Sequence, residues 1–269
     1  MFNLLRMDLY RLKRSRAVYI GLAGMLAMVG LCYWFLWLLA APGGRETAMK
    51  LGMDAALDSG ILDDYTSMMM FRETGMDGGM YCSVLGIIVA LFVCTDFQSG
   101  FIKNIMALHR ERWSYVVSKV IVGGIVTFCY MTVQLAFCLL LNKLFLGVLG
   151  KLEIPYSSLG DTLFYLAQAW LITTAFSALI ILLCVITRSM AAGVLLALVL
   201  GSGMLVVALT ALTGLFHMDG WSLYTLYHNM VYAPSAYTGP GDLRGLAVGA
   251  VFLLVYTLLG AVALRKRDI

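Results

Sequence analysis

The chain has 269 residues, of which 61% are hydrophobic and 13% charged, and it carries a formal net charge of +4. An ordinary soluble domain is about 25% charged, so these proportions exclude a protein whose whole surface faces water and imply one that faces lipid. Six cysteines and three histidines, with no acid–histidine cluster, offer neither a disulfide framework nor a metal site.

The chain opens with Phe2, Leu5, Leu9 and Leu12 at spacings of three, four and three, surrounded by Arg6, Arg11, Lys13 and Arg14. One apolar stripe on a basic helix predicts an interfacial helix over residues 1–16, lying on anionic headgroups before it turns into the first span. Six long apolar runs follow, at 17–41, 80–95, 120–141, 162–187, 191–216 and 245–264. A hydrocarbon core about 30 Å thick needs roughly 20 helical residues, so five runs suffice unaided and the second borrows from its flanks. The expected fold is an all-α integral membrane protein with one transmembrane domain over 1–269. The first run is too long for the h-region of a cleavable signal peptide, so none is expected. All six cysteines (Cys32, Cys82, Cys94, Cys129, Cys138, Cys184) fall inside the runs, where they read as small core residues. The polar stretch 42–79 is acidic and reads as short of good core residues.

Charge sorts by side. If the termini share a side with the second and fourth connections, thirteen basic residues there face four acids (Asp8, Asp96, Glu111 and Asp268), a net +9; the opposite side holds six bases against eleven acids, a net −5. Lysine and arginine in short loops set orientation, so both termini are expected to be cytoplasmic.

Between the second and third runs, Ile102, Ile105, Met106 and His109 form one helical face and Lys103, Asn104 and Arg110 another, which predicts a short amphipathic helix after Gly100. Such a helix either lies on the membrane or inserts into a groove on a cytoplasmic partner. The span interiors contain no ionisable residue, which disfavours a proton-coupled carrier, a voltage sensor or an ion pump. Gln134, Gln168, Thr173 and Thr174 are the polar span residues expected near a translocation path, or else they fix helix packing through hydrogen bonds. The glycines of Gly123-Gly124 and Gly201-Ser202-Gly203 are expected to let helices pack closely within the bundle or a dimer. Ser202 lacks the first glycine of a Gly-x-Ser-Gly protease setting, so no catalytic residue is expected. Between the last two runs, Trp221, Tyr224, His228 and Val231 step by three, four and three, with Tyr227 beside them. This aromatic stripe suits an anchor at the outer headgroup level or a gate there.

The run Asp96-Phe97, Gly100, Lys103-Asn104, Arg112 and Lys119 resembles the loop after the second span of type-2 ATP-binding-cassette (ABC) transporter permeases. It departs from their pattern at Asp96, where Glu is usual, and at Phe101, where Thr is common. The finish Lys266-Arg267-Asp268-Ile269 is similar to theirs, with Leu264 where Phe is frequent. The resemblance implies that Asp96, Gly100, Lys103, Asn104, His109, Arg110, Glu111 and Arg112 form a coupling element seated on a separate ATPase subunit, which binds ATP and Mg. It also implies a second permease, identical or paralogous, an outer re-entrant hairpin carrying Trp221, Tyr224, Tyr227 and His228, and a place in the bacterial cell membrane. This chain has no Gly-x-x-x-x-Gly-Lys-Ser/Thr loop, so no cofactor is expected in it and ATP hydrolysis is expected elsewhere. The expected activity is export of an amphipathic peptide, antibiotic or lipid-like cargo, as in small permeases that confer self-protection against bacteriocin-like peptides and antibiotics. A secondary carrier or channel and a non-transporting scaffold are the alternatives; no nucleic-acid partner is expected.

Overall fold

In lipid, backbone N–H and C=O groups find no water, so an apolar chain of this kind satisfies them within helices. A computed structural model describes residues 2–40, 46, 50, 67–77, 79–102, 113–145, 159–215 and 220–266, and none of these lies in a strand. The helices are α1 (Phe2–Lys13), α2 (Arg16–Ala40), α3 (Ser67–Arg72), α4 (Met80–Gln98), α5 (Trp113–Leu144), α6 (Leu159–Thr187), α7 (Met190–Gly201), α8 (Met204–Leu215), α9 (Leu226–Val231) and α10 (Arg244–Lys266). Among them α2, α4, α5, α6 and the last helix are each long and apolar enough to cross a membrane, and α7 with α8, bent by 56°, is long and apolar enough to make a sixth if the pair is one broken span.

Helix α6 is the most enclosed span, packed against α4, α5 and α10, while α7 lies along α4. Close approach rests on small residues. A Cβ on Gly193 would come within 2.9 Å of the Cys184 sulfur, and one on Gly86 within 2.9 Å of the Ala197 side chain. Cys82, Cys94, Cys138 and Cys184 are buried and every cysteine is free, whereas Cys129 is exposed and Cys32 half-buried.

Three expectations need correction. The fifth span is not one helix: Gly203 takes a φ of +71°, which ends α7 and starts α8 at a new angle. Gly201 does serve close packing, since a Cβ there would sit 2.6 Å from the Ser83 backbone nitrogen. The stretch before α4 is not poor in core residues, because α3 and the single π-turn Glu73–Asp77 bury Met68, Phe71 and Met76 completely. Finally, α1 turns Leu4, Asp8 and Leu12 inward, at i, i+4 and i+8, rather than the stripe centred on Leu5 and Leu9. A charged residue on the buried face displaces the purely apolar stripe.

The break at Gly203 yields a prediction. A side chain there would meet the ring of Tyr227 in addition to adopting a left-handed backbone. Gly203→Ala should therefore lower the thermal unfolding midpoint in detergent, by the equivalent of about 1–3 kcal/mol. Adding Tyr227→Ala should recover only the steric share of the loss, and full recovery would show that the backbone carries no strain.

Candidate functional site

At the end of the bundle that carries both termini, four charged side chains from three elements meet. Lys119, at the start of α5, is fully buried and places Nζ 2.8 Å from Asp8 Oδ1 and 2.7 Å from Asp96 Oδ2. Arg11 of α1 closes the cluster, with Nη2 2.6 Å from Asp96 Oδ1. The hydroxyl of Ser118 donates to Asp8 Oδ2 at 2.8 Å, and that of Tyr115 donates to Asp96 Oδ2 at 3.0 Å. Aromatic faces complete the shell: Lys119 Nζ lies 3.7 Å from the centre of the Phe92 ring, and the Arg11 guanidinium 4.4 Å from that of Phe101. Two carboxylates balance two cations, so each charge faces an opposite one, while, ion pairing aside, Arg11 Nη1 and Asp96 Oδ1 find no hydrogen-bond partner among the described residues.

The placement follows from local sequence. Asp8 and Arg11 are three apart and so share a face of α1. Ser118 and Lys119 sit in the first turns of α5, and Asp96 in the last turn of α4. The cluster therefore brackets the segment between α4 and α5. Of the eight residues expected in the coupling element, Asp96 is buried in the cluster and Gly100 ends the turn after α4 with a φ of +70°. Lys103, Asn104, His109, Arg110, Glu111 and Arg112 lie outside the described residues. Asp8, Tyr115 and Ser118 were missed by sequence reading, although a lone acid in an otherwise basic helix was a signal for Asp8.

At the far end, the helical turn Trp221–Tyr224 and α9 fold over the bundle. Beneath them lies a cavity of 370 Å³, mainly apolar, walled by Ile172 and Phe176 of α6, Leu200 beside the break in the fifth span, and Phe252 of α10. Trp221, Tyr224 and Tyr227 line this cavity, so three of the four proposed gate residues come together there. His228 does not line it; its ring packs 4.6 Å from that of Tyr232. Burial and the positive charge of Arg244 hold the His228 imidazole below its usual pKa, favouring the neutral form. Arg72 ties α3 to this cover, donating to the Val231 carbonyl at 2.5 Å and pairing with Asp77 at 3.3 Å. Burial raises the Asp77 carboxyl above its ordinary value, against the opposing pull of Arg72.

The four polar span residues are all buried and none lines the cavity. Thr173 and Thr174 donate back to the carbonyls of Ala169 and Trp170 in their own helix. Gln134 donates to Thr74 at 3.0 Å and Gln168 to the Asn229 carbonyl at 3.5 Å, so both amides join the bundle to the covering segments.

A family model described as ABC-2 family transporter protein matches residues 4–204, more than half of the 269 residues. The chain belongs to the ABC-2 transporter family. The matched span runs from α1, through the residues of the charge cluster, to the break between α7 and α8. No curated protein matches this permease. It is a multi-pass membrane protein, and no group of three or more histidine, cysteine, aspartate or glutamate side chains placed to hold a metal occurs among its described residues.

The permease's ion cluster makes a ranked prediction. Lys119→Met would leave two buried carboxylates short of a cation and should cost about 3–5 kcal/mol. Arg11→Gln should cost less, because Arg11 is 28% exposed and water can replace it. Thermal melts of the two purified variants check the order, and a larger loss for Arg11→Gln would contradict this account.

Proposed function

We propose that this chain is the membrane-spanning subunit of an ABC exporter, coupled to a separate ATPase through the segment between α4 and α5. The observation that carries the reading is the buried ion cluster, which fixes to one another the last turn of α4, the start of α5 and the helix α1. A push on residues 99–112 reaches two spans and α1 together through short ionic contacts, and this is what a mechanical input needs. The excess of bases at the terminal end supports cytoplasmic termini in a bacterial cell membrane, on the side where ATP is found. ATP and Mg would then be held by the partner, and the chain itself has no catalytic role.

The cavity under Trp221, Tyr224 and Tyr227 supports a cargo with an apolar body, such as an amphipathic peptide, an antibiotic or a lipid-like molecule. It sits beside the broken fifth span and beneath a cover of short helices, the arrangement expected of an outer gate. Gln134, Gln168, Thr173 and Thr174 then serve packing near the path rather than contact with cargo. A second permease, identical or paralogous, would complete the path.

The test is purification of the tagged chain from its native membrane with identification of its companions. Wild type should bring a Walker-motif ATPase, and a chain carrying Lys103→Glu and Arg112→Glu should lose it while retaining its melting behaviour. Absence of any ATPase with the wild type would sink the exporter reading in favour of a carrier, a channel or a scaffold.

A further inference from the structure

A second cavity, also of 370 Å³, lies at the corner where α1 turns into α2. Its walls are Arg11 and Ser15 from the corner, Ala17 at the start of α2, and Leu91, Phe92 and Thr95 from α4. Polar and apolar walls thus meet in one recess. The recess has room for a phosphate with part of its glycerol.

Three features say what would fill it. Arg11 gives Nη2 to Asp96, but its Nη1 is buried and finds no hydrogen-bond partner among the described residues. Lys13, Arg14 and Arg16 are exposed around the corner, and with Arg11 and Lys119 balanced by Asp96 and Asp8, their charge has no internal counterpart in the cluster. Tyr10 and Tyr19 are both exposed beside it, with the Arg14 guanidinium 4.6 Å over the Tyr10 ring and the Tyr19 hydroxyl donating to the Lys13 carbonyl at 2.8 Å. Exposed tyrosines among arginines mark the headgroup level of a membrane protein. An anion at that depth, next to the apolar side chains of Leu91 and Phe92, carries acyl chains.

We propose that this recess binds the headgroup of one anionic phospholipid, with its phosphate on Arg11 and its chains leaving along α4. The same guanidinium would then hold the lipid phosphate through Nη1 and Asp96 through Nη2. Occupancy would stiffen Arg11 against the carboxylate that anchors the end of α4, so the local lipid would set how firmly α1 is fastened to the bundle.

Native mass spectrometry of the delipidated full chain, offered phosphatidylglycerol or phosphatidylcholine of equal chain length, tests this directly. Wild type should retain one phosphatidylglycerol with roughly fivefold preference for each base engaged, and inorganic phosphate should not displace it. Thr95→Phe fills the recess from an exposed position whose hydroxyl meets only the Leu91 carbonyl of its own helix; it should abolish the preference, as should Ser15→Leu. Arg6→Gln, an exposed base outside the recess, should leave it intact. Equal retention of the two lipids would overturn the proposal. So would a preference that survives both filling variants, or displacement by inorganic phosphate, which would indicate a site for a soluble anion.

Discussion

The lysine held between two carboxylates at the terminal end is the contact on which the rest of this bundle turns. Burying a single charge costs several kcal/mol even after the surroundings relax, and here four are drawn inward together. The arrangement is tolerable because opposite charges meet across elements: Asp8 and Arg11 from α1, Asp96 from α4, Lys119 from α5. Geometry is thereby specified more sharply than apolar contact could specify it, since a slide of one turn along any of these helices would strand a charge. Helix α1 is consequently a structural part of the bundle.

The far end is held by a different chemistry. There the spans are joined to their covering segments by amides, as in Gln134 to Thr74 at 3.0 Å and Gln168 to the Asn229 carbonyl at 3.5 Å, with the ion pair of Arg72 and Asp77 beside them. Neutral hydrogen bonds of this kind contribute roughly 0.5–1.5 kcal/mol each and can be exchanged one at a time. A rigid ionic base and a more exchangeable polar cover would suit the exporter proposed above, driven at one end and opening at the other.

The all-α, multi-span character was legible in the sequence because lipid imposes one length and one composition on every crossing, and five of the six apolar runs fall on helices long enough to cross. The family was legible too, through Asp96, Gly100 and the Lys-Asn pair taken in order. The break in the fifth span was not, because its residues are as apolar as a continuous helix requires and only the sign of one dihedral at Gly203 divides them. The ion cluster was hidden for another reason: its members lie 3 to 111 positions apart in the chain, and each alone reads as an ordinary basic or acidic residue near a membrane surface. Residues 67–77 were misread because methionine and glycine fit a loop as well as a core, and it is the close approach of Tyr81 to Gly75 that decides between them.

The bend between α7 and α8 has an electrostatic consequence. A helix ends in carbonyls and begins in amides that have no partner within it, equivalent to about half an elementary charge of each sign. Where the chain breaks between α7 and α8, both partial charges meet at one point, and at this break Leu200, Gly201 and Val206 face the aromatic-covered cavity. A space walled by leucine, isoleucine and phenylalanine is thus given a direction, negative toward the end of α7 and positive toward the start of α8. A dipolar molecule could be oriented there by backbone alone, without the desolvation that an ionised side chain at the same depth would incur.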